Sequence, residues 1–414
     1  MVSSSAEVSH DVGAQELIDA ARALRPQIIA EAPQAEKRTF FSEDLHRKFL
    51  DARLYDIYVP KRYGGLELDM RAFVNVVKEV SRGDMSTGWC FGLSANHAVM
   101  AASVFSQNVQ NTLFRNGFRA SSTINGVATA RKVDGGWKLN GTVRYCSGSP
   151  YSNFYIGIAS IVGDDPATPA QPGVFVAPAS AYTRLDDWGA VLGLKGSGSH
   201  SLKFQDAIIP DEYVIPGFTW MDVPVEQGTV GYRLHGNPLY ASRCVTFFTM
   251  SIAAVSIGGG LAALDEYADQ MRKREVINLF DGSAQSRMVE PYYQAHYGAA
   301  STQLYQAELM LDTVAERHLE MARLNAQGKR PFTIYDDLRL SGVAREIMIN
   351  VWETVDQHIF RSIGASVIQY GKRFEQIFRD LAQASSHYNP SIRDASFRSL
   401  AQMELDPKSP FKRS

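Results

Sequence analysis

Two glycine- and serine-rich segments near the middle of the chain, residues 135–149 and 193–204, lie between long stretches of helical periodicity. The first runs through Trp137, Gly141 and Tyr145 to Ser147, Gly148 and Ser149. The second runs from Gly193 through Gly196, Ser197, Gly198 and Ser199 to Phe204. Both read as strand segments with Ser/Gly turns. Such turns bring backbone amides and hydroxyls against a flat polar ligand, because glycine lets the main chain approach without a Cβ in the way. The order helical, β, helical predicts a mainly α protein with a central β-domain. The changes of period place an N-terminal helical domain over residues 1–118, a β-domain over 119–230 and a helical bundle over 231–414.

Composition narrows the partners. A 414-residue chain that is 45% hydrophobic and 21% charged, with net charge −2, is long enough for several packed regions and has no basic face to hold nucleic acid or an anionic membrane. Cys90, Cys146 and Cys244 are far apart and form no Cys-x-x-Cys, so neither a disulfide framework nor a metal site is expected, and a reducing cytoplasm fits. Residues 1–11 are polar and lack the order of a signal peptide. The most apolar stretch, 247–264, is broken by serine and by Gly258, Gly259 and Gly260, so no membrane span is read. The basic tail, residues 408–413, reads as solvated.

Apolar spacing predicts helices over 14–29, 42–54, 70–81 and 87–105, with Ser42 as an N-cap. Cys90, Leu93, His97, Ala101 and Val104 share one face of the last, which sets a histidine on an inward stripe. Strand runs follow at 153–158, 174–177 and 201–204. Further helices are expected over 240–274, 289–325, 334–363 and 374–386. The stripe Leu340, Val343, Ile347, Val351, Val355 and Ile359 is what antiparallel bundles bury, internally or against another subunit, and His358 is read on that stripe as a core residue.

Several motifs then fall in a recognisable order: Gly-Trp-Lys-Leu-Asn-Gly from Gly136, Ser147-Gly148, Gly193 to Ser199, Phe204 to Pro210, and Arg379-Asp380-Leu381. Together they resemble the acyl-CoA dehydrogenase superfamily over nearly the whole chain. The resemblance implies an N-terminal helical domain, a middle β-barrel-like domain and a C-terminal four-helix bundle. Gly88-Trp89 and Gly92-Leu93 leading to His97, with His387 after Arg379-Asp380, resemble its oxygenase branch, the two-component flavin monooxygenases.

That branch implies reduced FAD or reduced FMN, with FADH2 ahead, and O2 as co-substrate. It also implies a C4a-hydroperoxyflavin, a small aromatic or heteroaromatic substrate and a homotetramer. His97, His387 and Ser122 are the catalytic candidates, since histidine titrates near working pH and can take a proton from a phenol or an indole-like group. Ser121 is placed like Ser122. Ser147 and Ser149 resemble the positions near flavin N5. Trp188, Lys195, Ser197, Ser199, Arg361, Arg373 and Arg379 complete the cofactor candidates, the cations being expected near flavin phosphates, across a subunit boundary or within one chain. The segment after Gly193 leads into a strand, so it is no dinucleotide fingerprint. With no nicotinamide site in view, reduced flavin is expected from a separate NAD(P)H-dependent reductase.

Plainer readings stand beside these. His97 fits a hydrogen-bonded core residue, His387 a C-terminal helix cap, the glycines ordinary turns, and Trp188 and Trp137 sheet packing. An acyl-CoA dehydrogenase needs a carboxylate base. None follows Asp380 until Asp394, which leaves Glu266 as its candidate. A non-catalytic helical oligomer or binding protein is the reading of another class.

Overall fold

The computed structural model describes residues 5–123, 127–163, 165 and 167–406. The tail at 408–413 and residues 1–4 of the N-terminal stretch lie outside them. The first layer is helical: α1 (Ser5–Arg38), α2 (Glu43–Asp51), α3 (Met70–Gly83), α4 (Met85–Val104) and α5 (Gln107–Leu113). Ser42, Asp69 and Asp84 cap α2, α3 and α4, each side chain accepting the amide three residues on, at 3.1, 2.9 and 2.7 Å. Helix α4 has no solvent face. Every residue from Met85 to Val104 is buried except the half-buried Leu93, so the inward stripe expected of it is the whole circumference.

The sheet holds β1 (Ala120–Ser121), β2 (Val127–Val133), β3 (Gly136–Val143), β4 (Phe154–Val162), β5 (Gln171–Pro178), β6 (Thr183–Arg184), β7 (Leu202–Ile209) and β8 (Val214–Pro216). Their order is β6-β7-β3-β2-β4-β5-β8, with β1 beside β4. Pairs β2–β4 and β1–β4 are parallel and the others antiparallel. This path has two ends, so the expected barrel-like domain is an open mixed sheet. Only the end of the second Gly/Ser segment is strand. Residues 193–201 form a loop that enters β7 at Leu202, because Leu194 and Gly198 take φ of +54° and +60°, a left-handed turn no strand accommodates.

The C-terminal part comprises α6 (Val230–His235), α7 (Val245–Lys273), a hairpin of β9 (Glu275–Ile277) and β10 (Ala284–Ser286), α8 (Pro291–Ala326), α9 (Ile334–Thr354), α10 (Arg361–Ile363), α11 (Arg373–Ser385), α12 (Tyr388–Ser391) and α13 (Arg393–Leu405). Helices α7, α8, α9 and α11 pack as the bundle. Helix α7 is long and apolar enough to cross a membrane, but 94% of its apolar window is buried inside the protein. Its three glycines do not interrupt it. A Cβ at Gly258 would stand 2.5 Å from the Ser81 Cβ and one at Gly259 2.2 Å from the Met85 sulfur, so the glycines let α7 lie directly on α3 and α4.

One turn of wider winding, Val355–Phe360, joins α9 to α10. Ile347, Val351, Val355 and Ile359 are buried, whereas Leu340 and Val343 are only half-buried. His358 is not a core residue: it sits one step off that stripe, half-buried, 3.3 Å from Gln303.

Arg345, 1% exposed, ties the end of the chain to α9. Its Nε donates to the Asn389 carbonyl at 2.7 Å and its Nη1 to Ser396 Oγ at 2.9 Å. Arg345→Ala removes both bonds, leaves two buried acceptors unpaired and frees the segment that carries His387. A loss of about 3 kcal/mol is expected in urea unfolding, together with faster amide exchange over residues 387–396.

Candidate active site

A cavity of about 280 Å3 lies where α4, the loops after β3 and β6, helix α7 and the end of α11 meet. One wall is apolar: Leu93 from α4, with Phe248 and Ile252 four residues apart on α7. The facing wall is hydroxyl-rich. Trp89 Nε1 donates to Ser147 Oγ at 3.0 Å, Ser147 Oγ is 2.8 Å from Ser199 Oγ, and Ser199 Oγ is 2.7 Å from Ser197 Oγ. The indole N–H can only donate, so the Ser147 hydroxyl accepts it and keeps its own proton for Ser199 or for a ligand.

Backbone geometry fixes this wall. Gly148, at φ +76°, donates its N–H to the Ser197 carbonyl at 3.0 Å, and a Cβ there would stand 1.9 Å from Ser94 Oγ. Gly148 therefore holds the Ser147 turn flat against α4. Tyr145, also left-handed at φ +61°, and Trp188 meet edge to face, 5.9 Å between ring centres, and line the cavity with Tyr388.

Two histidines line the cavity in opposite tautomers. His97 Nδ1 is 2.6 Å from the Ala120 carbonyl, which only accepts, so Nδ1 carries the proton and Nε2 is left as an acceptor. His387 Nδ1 receives the Asn389 amide N–H at 3.2 Å, so its proton is on Nε2, which is left as a donor. His387 also packs edge to face on Trp89 at 5.1 Å. Burial lowers both rings to a pKa of about 4, so each is neutral at neutral pH. Among the described residues no carboxylate lines the cavity.

The structure thus brings His97, His387, Ser122, Ser147, Trp188, Ser197 and Ser199 around one space. His387 is an N-cap and not the C-terminal cap that its position after a helical stretch had allowed, because α12 begins one residue after it. Ser121 is fully buried and does not line the cavity. Ser149 does not reach the cavity, since its hydroxyl donates to the Gly198 carbonyl at 2.9 Å and ties the two Gly/Ser loops together.

The four cations lie outside as well. Lys195 is 3.2 Å from Glu36, Arg373 donates to Glu266 at 2.8 Å and to the Arg82 carbonyl at 2.9 Å, and Arg379 is 2.8 Å from Glu36. Arg361 pairs with Asp356 at 3.3 Å and is the most exposed of them. Glu266, bound to Arg373, is not a cavity residue either. Leu194, Phe248, Ile252, Gln383 and Tyr388 were not picked out in the sequence. Phe248 and Ile252 are hidden in a helix apolar all round, whereas Tyr388 adjoins a residue already in view.

Comparison with known proteins agrees with this architecture. Residues 13–111 match the family model described as "Acyl-CoA dehydrogenase, N-terminal domain" and residues 250–391 the one described as "Acyl-CoA dehydrogenase, C-terminal domain". The chain is 24% identical to a pigment production hydroxylase of Rhodococcus sp., over 96% of this chain and 98% of the relative. It is also 24% identical to p-hydroxyphenylacetate 3-hydroxylase, oxygenase component, of Acinetobacter baumannii, over 96% and 92%. The crystal structure of XiaF from Streptomyces sp., in complex with FADH2 and glycerol, superposes with a TM-score of 0.82 at 20% identity, covering 98% of this chain and 99% of that one. The chain belongs to the acyl-CoA dehydrogenase family, and its full-length relatives include oxygenase components of flavin-dependent monooxygenases.

The histidines set a pH limit on stability. Both folded pKa values lie below the 6.5 of an ordinary histidine. The stabilisation from their neutral forms is therefore complete above 6.5 and is lost as pH falls through about 4. Urea unfolding at about pH 7 and about pH 5 should show this loss, and it should shrink in the His97→Gln/His387→Gln double variant. An unchanged pH slope in that variant would refute the assignment.

Proposed function

We infer that the chain is an oxygenase component that uses reduced flavin and O2 to hydroxylate a small aromatic or heteroaromatic substrate, the flavin being reduced by a separate NAD(P)H-dependent enzyme. The observation that carries this reading is a pair of neutral buried histidines with opposite free nitrogens, an acceptor on His97 and a donor on His387, in a cavity lined by no carboxylate among the described residues. A dehydrogenase acting on an acyl thioester needs a carboxylate base, and the described residues bring none to this cavity.

The residues present fit a flavin. Ser147, Ser197 and Ser199 supply hydroxyls that both donate and accept, which suits the alternating N–H and C=O edge of an isoalloxazine. When bound, reduced flavin would supply the two electrons that activate O2; one oxygen atom of O2 goes to the substrate and the other leaves as water. The protein does the rest. His97 Nε2 accepts the proton of a substrate O–H or N–H, which raises electron density on the ring to be attacked. His387 Nε2–H donates a hydrogen bond from the opposite tautomer. Leu93, Phe248 and Ile252 keep water from their side of the site.

The chain is proposed to work as a homotetramer. The outer face of α8 and α9 supports this, with Tyr305 and Leu309 exposed beside the half-buried Leu340 and Val343. Arg361, the most exposed of the four cations at 64%, is the one proposed to reach a flavin phosphate across a subunit boundary. Three free, buried cysteines fit a cytoplasmic location.

Anaerobic titration with FADH2 and reduced FMN, followed by mixing with O2 and candidate aromatic substrates, tests the reading. Tight binding and hydroxylated product are expected. His97→Leu should lower kcat by about 10²-fold or more while flavin affinity stays near wild type. Bleaching of bound oxidised flavin by an acyl-CoA would establish the dehydrogenase instead, and absence of any flavin affinity the non-catalytic reading.

A further inference from the structure

Below the cavity lies a buried carboxyl that the reaction does not use. Asp380 is 2% exposed, and its Oδ1 accepts the Leu194 N–H at 2.6 Å. Leu194 is held in the left-handed region at φ +54° and lines the cavity, and its carbonyl accepts the Trp188 indole N–H at 3.2 Å. Next to it, a Cβ on Gly193 would stand 2.1 Å from the Arg379 carbonyl oxygen, so loop and helix α11 are in backbone contact. Arg379 Nη1 donates to the Leu192 carbonyl at 3.0 Å. The loop is thus gripped at 192, 193 and 194, immediately before Ser197 and Ser199 enter the hydroxyl wall.

We propose that Asp380 is a positioning residue for the flavin: through the Leu194 amide it holds the 193–199 loop in its left-handed course, and so sets the Ser197 and Ser199 hydroxyls against Ser147. The proposal rests on the flavin reading above. A non-glycine residue is strained in that conformation and keeps it only where its surroundings enforce it. The amide bond to Asp380 and the indole bond from Trp188 are what enforce it here.

The charge state is consistent. Burial, together with Asp84 at the N-cap of α4, pushes the Asp380 carboxyl well above the usual carboxylate range, while the Leu194 amide and Arg379 pull the other way and Glu36 on α1 adds to the rise. Ser86 Oγ stands 3.4 Å from Oδ2. A neutral acid can accept from Leu194 through one oxygen and share a proton with Ser86 through the other. Asparagine reproduces both roles without charge, and alanine reproduces neither.

The test compares Asp380→Asn with Asp380→Ala by flavin titration, by the visible spectrum of the bound flavin and by hydrogen exchange of the peptide covering 193–199. The alanine variant should bind flavin about tenfold more weakly and exchange that peptide about tenfold faster, whereas the asparagine variant should stay within about threefold of wild type on both. If Asp380→Ala does not fold, Gly193→Ala separates the same two segments from the loop side and should show the same two losses. An alanine variant with wild-type exchange and affinity, or an asparagine variant as impaired as alanine, overturns the proposal. Should the wild type bind no flavin, the flavin reading fails. The exchange arm then still decides whether Asp380 holds the loop.

Discussion

Complete burial of α4 is the constraint on which the rest of this structure depends. A helix without a solvent face must be approached closely from every side, and close approach requires small residues at the contacts. Gly88 lies against Ser81 and Gly92 against Val77. From the facing helix, Gly259 lies against Met85. With its sides fixed in this way, α4 becomes the rigid element from which Trp89, Leu93 and His97 reach the cavity, while Asp84 at its start meets Gln376 of α11 at 3.2 Å. The helix that holds the three parts of the chain together is also the one that positions the chemistry.

Electrical neutrality is the second organising property. Lys195, Arg373 and Arg379 are spent on Glu36, Glu266 and backbone carbonyls, and the two histidines lining the cavity are held neutral by burial. In such a setting hydrogen-bond direction replaces charge as the means of control. The Ala120 carbonyl and the Asn389 amide, two backbone groups of opposite polarity, assign the two histidine tautomers. Neither assignment depends on a neighbouring side chain that a substitution could easily change.

Much of this was legible in the sequence, and what was missed has physical reasons. The long helices of the C-terminal part announced themselves because apolar spacing at 3.6 residues survives any tertiary arrangement. His97, His387 and the serines of the two Gly/Ser segments stood out by residue type and order. The course of residues 193–201 did not, since Gly and Ser alternation reads equally as strand or turn and the decision belongs to Leu194, whose left-handed conformation is imposed by helix α11, 186 residues away in sequence. The partners of the cations were hidden for a related reason: a sequence shows that Lys195, Arg373 and Arg379 are present but not that Glu36 or Glu266 is waiting for them.

The sequence by itself determined the order of helical and β regions, the positions of the helices and the residue types available for proton transfer and flavin contact, because these follow from local periodicity and chemistry. Tertiary structure alone decided which of those residues share a cavity, which tautomer each histidine adopts, that Ser149, Lys195, Arg373 and Arg379 are bonded into the framework, and that a buried acid underlies the loop. Those properties arise from contacts between segments remote in the chain, where burial and the direction of a single backbone hydrogen bond settle what a side chain can do.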